Sequence, residues 1–348
     1  MNSPFLKDSF TPPQLNSCKS AGTKKRLQFV DLAKGICIIL VILNHYDNVF
    51  FFVPNFQALR MPLYFVLSGL FFKDYNPDVF FTKKINNILV PFSFWLVFAV
   101  LWGIVFDGIG ISAMYSWVAT HEIYLNFVLW FLFCLFQTNV IFYLLQKFLH
   151  GVPLIIGVLV VASFGILMGQ SGVRGWAWID SACTGLPFFF LGYSLKNVLL
   201  NCNYGKFRIL TYASVCLLLA YSLYYLFDNP HISFVNNTVH GHPILIYINS
   251  ALMVVGILML CMIINWLPII SYIGRYSIIP LCVHIPILRV LYAFPEINIE
   301  PHVRIVVTLL LLLLFCWIAI PICKKHLGYF TAQRQIFTLP SEKVISHS

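Results

Sequence analysis

Charge is what this sequence has least of. Only 10% of its 348 residues are Asp, Glu, Lys or Arg, against 60% hydrophobic and 17% aromatic, with a mean hydropathy of +0.85. A soluble domain carries roughly 25% charged residues, so a water-soluble fold this apolar would lack polar surface to cover itself. Lipid is the remaining solvent, and in lipid only helices or closed barrels satisfy the backbone. The alternation over about ten residues that marks barrel strands is missing. The apolar runs are continuous instead, as over 303–321.

Other absences narrow the reading further. No CxxC pair or Cys/His ligand spacing occurs among the ten cysteines, which argues against a disulfide framework and a metal site. Cys37, Cys134, Cys183, Cys216, Cys261, Cys282 and Cys316 lie in apolar runs, where cysteine acts as a small hydrophobe. The net charge of +10 is not gathered into one patch, so nucleic acid is not the expected partner. Residues 1–23 are polar and Pro/Ser-rich, without the apolar centre of a cleavable signal peptide. No internal repeat of the kind found in many transporters is present.

What is there is a series of apolar stretches long enough for a hydrocarbon core of about 30 Å. Ten are predicted: 30–52, 58–73, 86–106, 123–146, 152–170, 182–200, 209–227, 244–265, 269–291 and 303–323. Met61-Pro62 is expected to tilt or break the second, and Pro280 and Pro286 to kink the ninth. Sixteen of the 22 basic residues then fall on one side, four (Arg60, Arg174, Arg289, Arg304) on the other, with Lys34 and Arg275 at or within helices. That asymmetry predicts cytoplasmic termini. The fold class is all-α, a polytopic membrane protein of about ten spans. Residues 1–25 are read as a disordered cytoplasmic tail, 26–323 as the membrane domain and 324–348 as a short cytoplasmic tail.

Polar residues inside apolar helices face cavities more often than lipid. The first helix holds Asp31, Lys34 and His45. Eleven residues at about 100° each bring Lys34 and His45 to one face, about 16 Å apart along the axis. Asp31 lies one turn from Lys34 and can pair with it. Taken singly, Lys34 fits interfacial snorkelling and His45 a helix-end histidine. Together they suggest a cation near the cytoplasm and a titratable base deeper in a cavity. Ser277 and His284, seven apart, share a face of the ninth helix, as a polar seam or as substrate contacts. His240-Gly241-His242 has no third metal ligand beside it, and the Asn236-Asn237-Thr238 sequon is read as accidental.

At these residues the sequence resembles the membrane-bound acyltransferase-3 family, and within it the branch related to fucose O-acetylases. Arg26–Ile36 running on to His45 carries the basic-residue, ten-spacer, histidine signature. Met61-Pro62-Leu63-Tyr64-Phe65-Val66-Leu67-Ser68-Gly69 is similar to the second-helix run of that family. Phe80–Ile85 leading to Leu89-Val90-Pro91-Phe92, then Leu129–Leu132, Leu186–Tyr193 and Gly274–His284 follow in the family's order. No single run is distinctive; the order is.

The resemblance implies an O-acetyltransferase of the inner (plasma) membrane. Its donor would be acetyl-CoA or another acyl-CoA, with no permanently bound cofactor, and its acceptor a surface-polysaccharide or lipid-linked sugar or a small glycoconjugate. His45 carries over as the essential histidine and Lys34 as its basic partner. Where many members have Arg-x-x-Arg, this chain has Lys84-Ile85-Asn86-Asn87, so Lys83 and Lys84 are expected to meet the donor phosphates with Lys34. Glu122 is expected to orient His45, and Arg60, Ser68, Ser277 and His284 to line the acceptor cavity. A transporter or flippase of lipid-linked sugars is the competing reading; it would need no acyl-CoA.

Overall fold

The computed structural model describes residues 27–45, 55–106, 127–200, 204–292 and 300–340. Helices account for most of them, because in lipid a chain this apolar must satisfy its backbone within each segment. They are α1 (Gln28–Asn44), α2 (Gln57–Leu70), α3 (Pro77–Lys84), α4 (Val90–Phe106), α5 (Trp130–Phe148) and α6 (Val152–Ser171). The second half gives α7 (Ile179–Leu200), α8 (Lys206–Leu226), α9 (Pro243–Ile264), α10 (Pro268–Arg275), α11 (Ile278–Tyr292) and α12 (Pro301–His326). Pro77, Pro243, Pro268 and Pro301 each open their helix, where a missing N–H costs nothing.

Each of the ten expected stretches contains a helix. Among the described residues six helices are long and apolar enough to cross a membrane, and a seventh if α10 and α11 form one broken span. The architecture is all-α and multi-pass. α6, α8 and α12 turn large apolar side chains outward, among them Val160, Leu167, Leu218 and Leu310. α1, α2 and α7 are buried at the centre: Leu32, Ile38, Leu63, Phe65, Leu186 and Phe189 are all inaccessible.

Two close helix crossings fix this centre. A Cβ on Gly69 would strike the Phe189 carbonyl, and one on Gly192 the Val66 carbonyl, so glycine on both sides lets α2 and α7 meet backbone to backbone. Gly35 and Gly274 do the same for α1 and α10.

Two expectations need correction. Pro62 sits inside α2 without breaking it. The bend in the ninth span is real, at 94°, but falls at Tyr276-Ser277, before both prolines. Pro280 occupies the first turn of α11, where N–H groups have no helical partner in any case. α12 continues to His326, and the chain then folds back on the α3–α4 junction. There Asn86 donates to the Phe337 carbonyl at 2.8 Å and accepts from the Ile336 and Phe337 amides at 3.1 and 3.0 Å. Trp95 Nε1 donates to the Phe330 carbonyl at 3.2 Å.

The stretch 228–243 contains an antiparallel hairpin of β1 (His231–Ser233) and β2 (Thr238–His240). Asn237 anchors it: its amide donates to the Gly165 carbonyl at 2.8 Å and accepts from Thr184 Oγ1 at 2.9 Å. Arg174 adds a bond to the Val235 carbonyl at 2.9 Å and an ion pair with Asp180 at 3.4 Å.

Candidate active site

Two cavities lie along α1, one at each end of the Lys34–His45 stripe. The first, about 290 Å³, is lined by Lys34, Ser68, Lys84, Asn87 and Ser277. The second, about 210 Å³, is lined by Asn44, His45, Gln57, Arg60 and Trp130, with residues 232–235 of the hairpin as its cover. Tyr64, Phe131 and Leu281 line both. The two spaces therefore adjoin across a wall of three side chains.

The lysine cavity is built by helix ends. Lys34 projects from α1 with its ammonium 5.8 Å from the Phe71 ring centroid. Asp31 of α1 pairs with Arg275 of α10 at 3.6 Å. Lys84 closes α3, immediately before a π-helical turn over Ile85–Leu89; such turns re-aim side chains and recur at functional sites. Lys83 points elsewhere, its ammonium 3.8 Å from the Tyr75 ring centroid, and is not among the cavity's lining residues. An aromatic cluster holds this end together. Phe80 stacks on Tyr143 at 4.1 Å, and Phe72 meets Phe142 edge-on at 4.9 Å. Pairs of this kind contribute about 0.5–1.5 kcal/mol beyond burial.

The histidine cavity is lined by both polar and aromatic side chains. Arg60 donates to Gln57 Oε1 at 2.7 Å one turn away. The α2 N-terminus carrying both is fixed by a reciprocal amide pair: Asn55 and Asn249 exchange hydrogen bonds of 2.9 and 2.8 Å, fully buried. His284 lines neither cavity. It is buried behind His45, with ring centroids 5.6 Å apart and the planes 26° from parallel. Its Nδ1 lies 2.7 Å from the Pro280 carbonyl. A carbonyl only accepts, so Nδ1 bears the proton in that contact.

The structure thus gathers Lys34, Ser68, Lys84 and Ser277 at one cavity and His45 and Arg60 at the other. It sets Lys83 and His284 outside both, and Glu122 lies outside the described residues. Sequence reasoning passed over Tyr64 and Asn139. The latter donates to Ser68 Oγ at 3.2 Å and to the Leu135 carbonyl at 2.7 Å. A polar residue buried mid-helix in α5 was the available signal. Among the described residues no cluster of His, Cys, Asp and Glu is placed to hold a metal ion.

A site with cations at one end and an imidazole at the other suits a reaction in which an anionic carrier delivers a group to a nucleophile that a base deprotonates. A family profile described as an acyltransferase domain, acyltransferase-3, matches residues 27–321. Searches of curated proteins and of solved structures return no match.

Proposed function

The chain belongs to the acyltransferase-3 family, and from that membership we propose an O-acetyltransferase of the plasma membrane. It takes acetyl from acetyl-CoA to a hydroxyl of a surface-polysaccharide or lipid-linked sugar. The expected topology, ten spans with cytoplasmic termini, supports a cytoplasmic position for the lysine cavity. There Lys34 and Lys84 attract the CoA phosphates as point charges. The pantetheine arm follows the α1 stripe towards the wall of Tyr64, Phe131 and Leu281.

The acceptor hydroxyl enters the histidine cavity, where His45 takes its proton as general base. The hydroxyl oxygen bonds to the thioester carbonyl carbon, and the carbonyl π pair moves onto oxygen. On collapse the C–S bond breaks, its electron pair leaves on sulfur, and the proton held by His45 passes to the departing thiolate. Holding both reactants at one wall removes much of the entropic barrier. The observation that supports this reading above others is the shared wall: Lys34 and His45, eleven residues apart on one helix, head cavities that touch.

The test is incubation of membranes containing the protein with labelled acetyl-CoA, followed by mass spectrometry of the glycans. Label should enter a sugar ester. A flippase would leave the glycans unlabelled.

A further inference from the structure

α2 carries a second polar stripe parallel to that of α1. Arg60, Tyr64 and Ser68 are spaced by four, so all three project from one face, about 6 Å apart along the axis. Arg60 lines the histidine cavity, Ser68 the lysine cavity, and Tyr64 both. Tyr64 is therefore the midpoint of the path.

Of the three side chains common to both cavities, Phe131 and Leu281 have no polar atom. The Tyr64 hydroxyl is the one side-chain hydrogen-bond donor on this wall among the described residues. Its oxygen is buried and makes no complete hydrogen bond, with the Ser277 side chain as polar neighbour. The ring is braced by Phe131, centroids 5.4 Å apart, so the hydroxyl is held in place. A buried donor without a full partner leaves free energy unclaimed, unless a ligand supplies the acceptor.

We infer that the Tyr64 hydroxyl is a catalytic hydrogen-bond donor to the acyl carbonyl oxygen. It meets that oxygen at the wall and stabilises the negative charge formed when the acceptor oxygen adds to the carbonyl carbon. The O–H stays on Tyr64 throughout, and the charge returns to a carbonyl as the C–S bond breaks. This rests on the acetyl-transfer reading above. Preorganised donors of this type act on the transition state more than on the bound substrate.

The variant Tyr64→Phe removes one oxygen and keeps the ring and its packing. With membrane content matched to wild type, kcat for acetyl transfer should fall at least tenfold, of the order of 10²–10³-fold, while KM for acetyl-CoA stays within about threefold. A fall in kcat below tenfold, or a loss confined to KM, overturns the role of Tyr64 and leaves acetyl transfer standing. Absence of transfer by the wild-type protein removes both.

Discussion

The two cavities differ in everything except the wall between them. One is framed by the ammonium groups of Lys34 and Lys84, with hydroxyls from Ser68 and Ser277. The other is framed by imidazole, guanidinium and amides, and is covered by a hairpin. A cation site binds a charged carrier and can be tuned without touching the chemistry, whereas a base must sit at the reacting atoms. On the proposed reading, binding and bond-making are divided along the length of α1, so substitutions at its two ends should give opposite kinetic signatures.

The largest effect is expected at the histidine end. His45→Ala should lower kcat by about 10³-fold, within the range for a positioned general base, with KM for acetyl-CoA unchanged. Loss expressed in KM instead would erase the division. At the wall, Leu281→Trp should fill the passage and cut transfer about 10²-fold, as misplacement of reacting groups does; binding of CoA at the lysine end should persist. Full activity in that variant would mean the cavities are not one path.

At the lysine end, Lys84→Ala should raise KM for acetyl-CoA about tenfold, the worth of one charge-assisted hydrogen bond, leaving kcat nearly constant. The KM of the wild type should also rise with salt, as screening predicts. A salt-independent KM would contradict a phosphate contact.

The smallest effect is expected in the hairpin. Burial holds the pKa of His231 below its ordinary 6.5, the stacked His240 and nearby Arg60 push the same way, and the bond to the Asn229 carbonyl opposes them. The neutral ring is favoured in the folded hairpin, so its contribution to stability is complete above about pH 6.5 and is lost as pH falls. Hydrogen exchange of the hairpin amides, corrected for intrinsic rate, should therefore quicken at pH 5.5 relative to pH 7.5. His231→Phe should flatten that dependence.

Legibility in the sequence followed what each helix faces. α6, α8 and α12 face outward, and their unbroken apolar runs declare them. α1 declared itself for the opposite reason: Lys34 and His45 are costly in lipid and periodic on one face. In the ninth span proline is a poor guide to the break, because Pro280 lies where a helix needs no donor. The hairpin was obscured because strands of three residues show too little alternation, and its anchor, Asn237, bonds to residues far away in the chain. Lys83 and Lys84 could not be told apart, since neighbours on a helix diverge by about 100° and only the fold says which direction holds the cavity. Tyr64 was hidden by its surroundings, one hydroxyl within an apolar run whose wall is completed by Phe131 and Leu281 from other helices.

The central claim is that one thioester can span both cavities. A cryo-EM structure with a non-hydrolysable acetyl-CoA analogue tests it most directly. The account predicts density with phosphates at Lys34 and Lys84 and the acyl carbonyl at the wall of Tyr64, Phe131 and Leu281. An analogue bound elsewhere, or a lysine cavity that stays empty at saturating concentration, would contradict it.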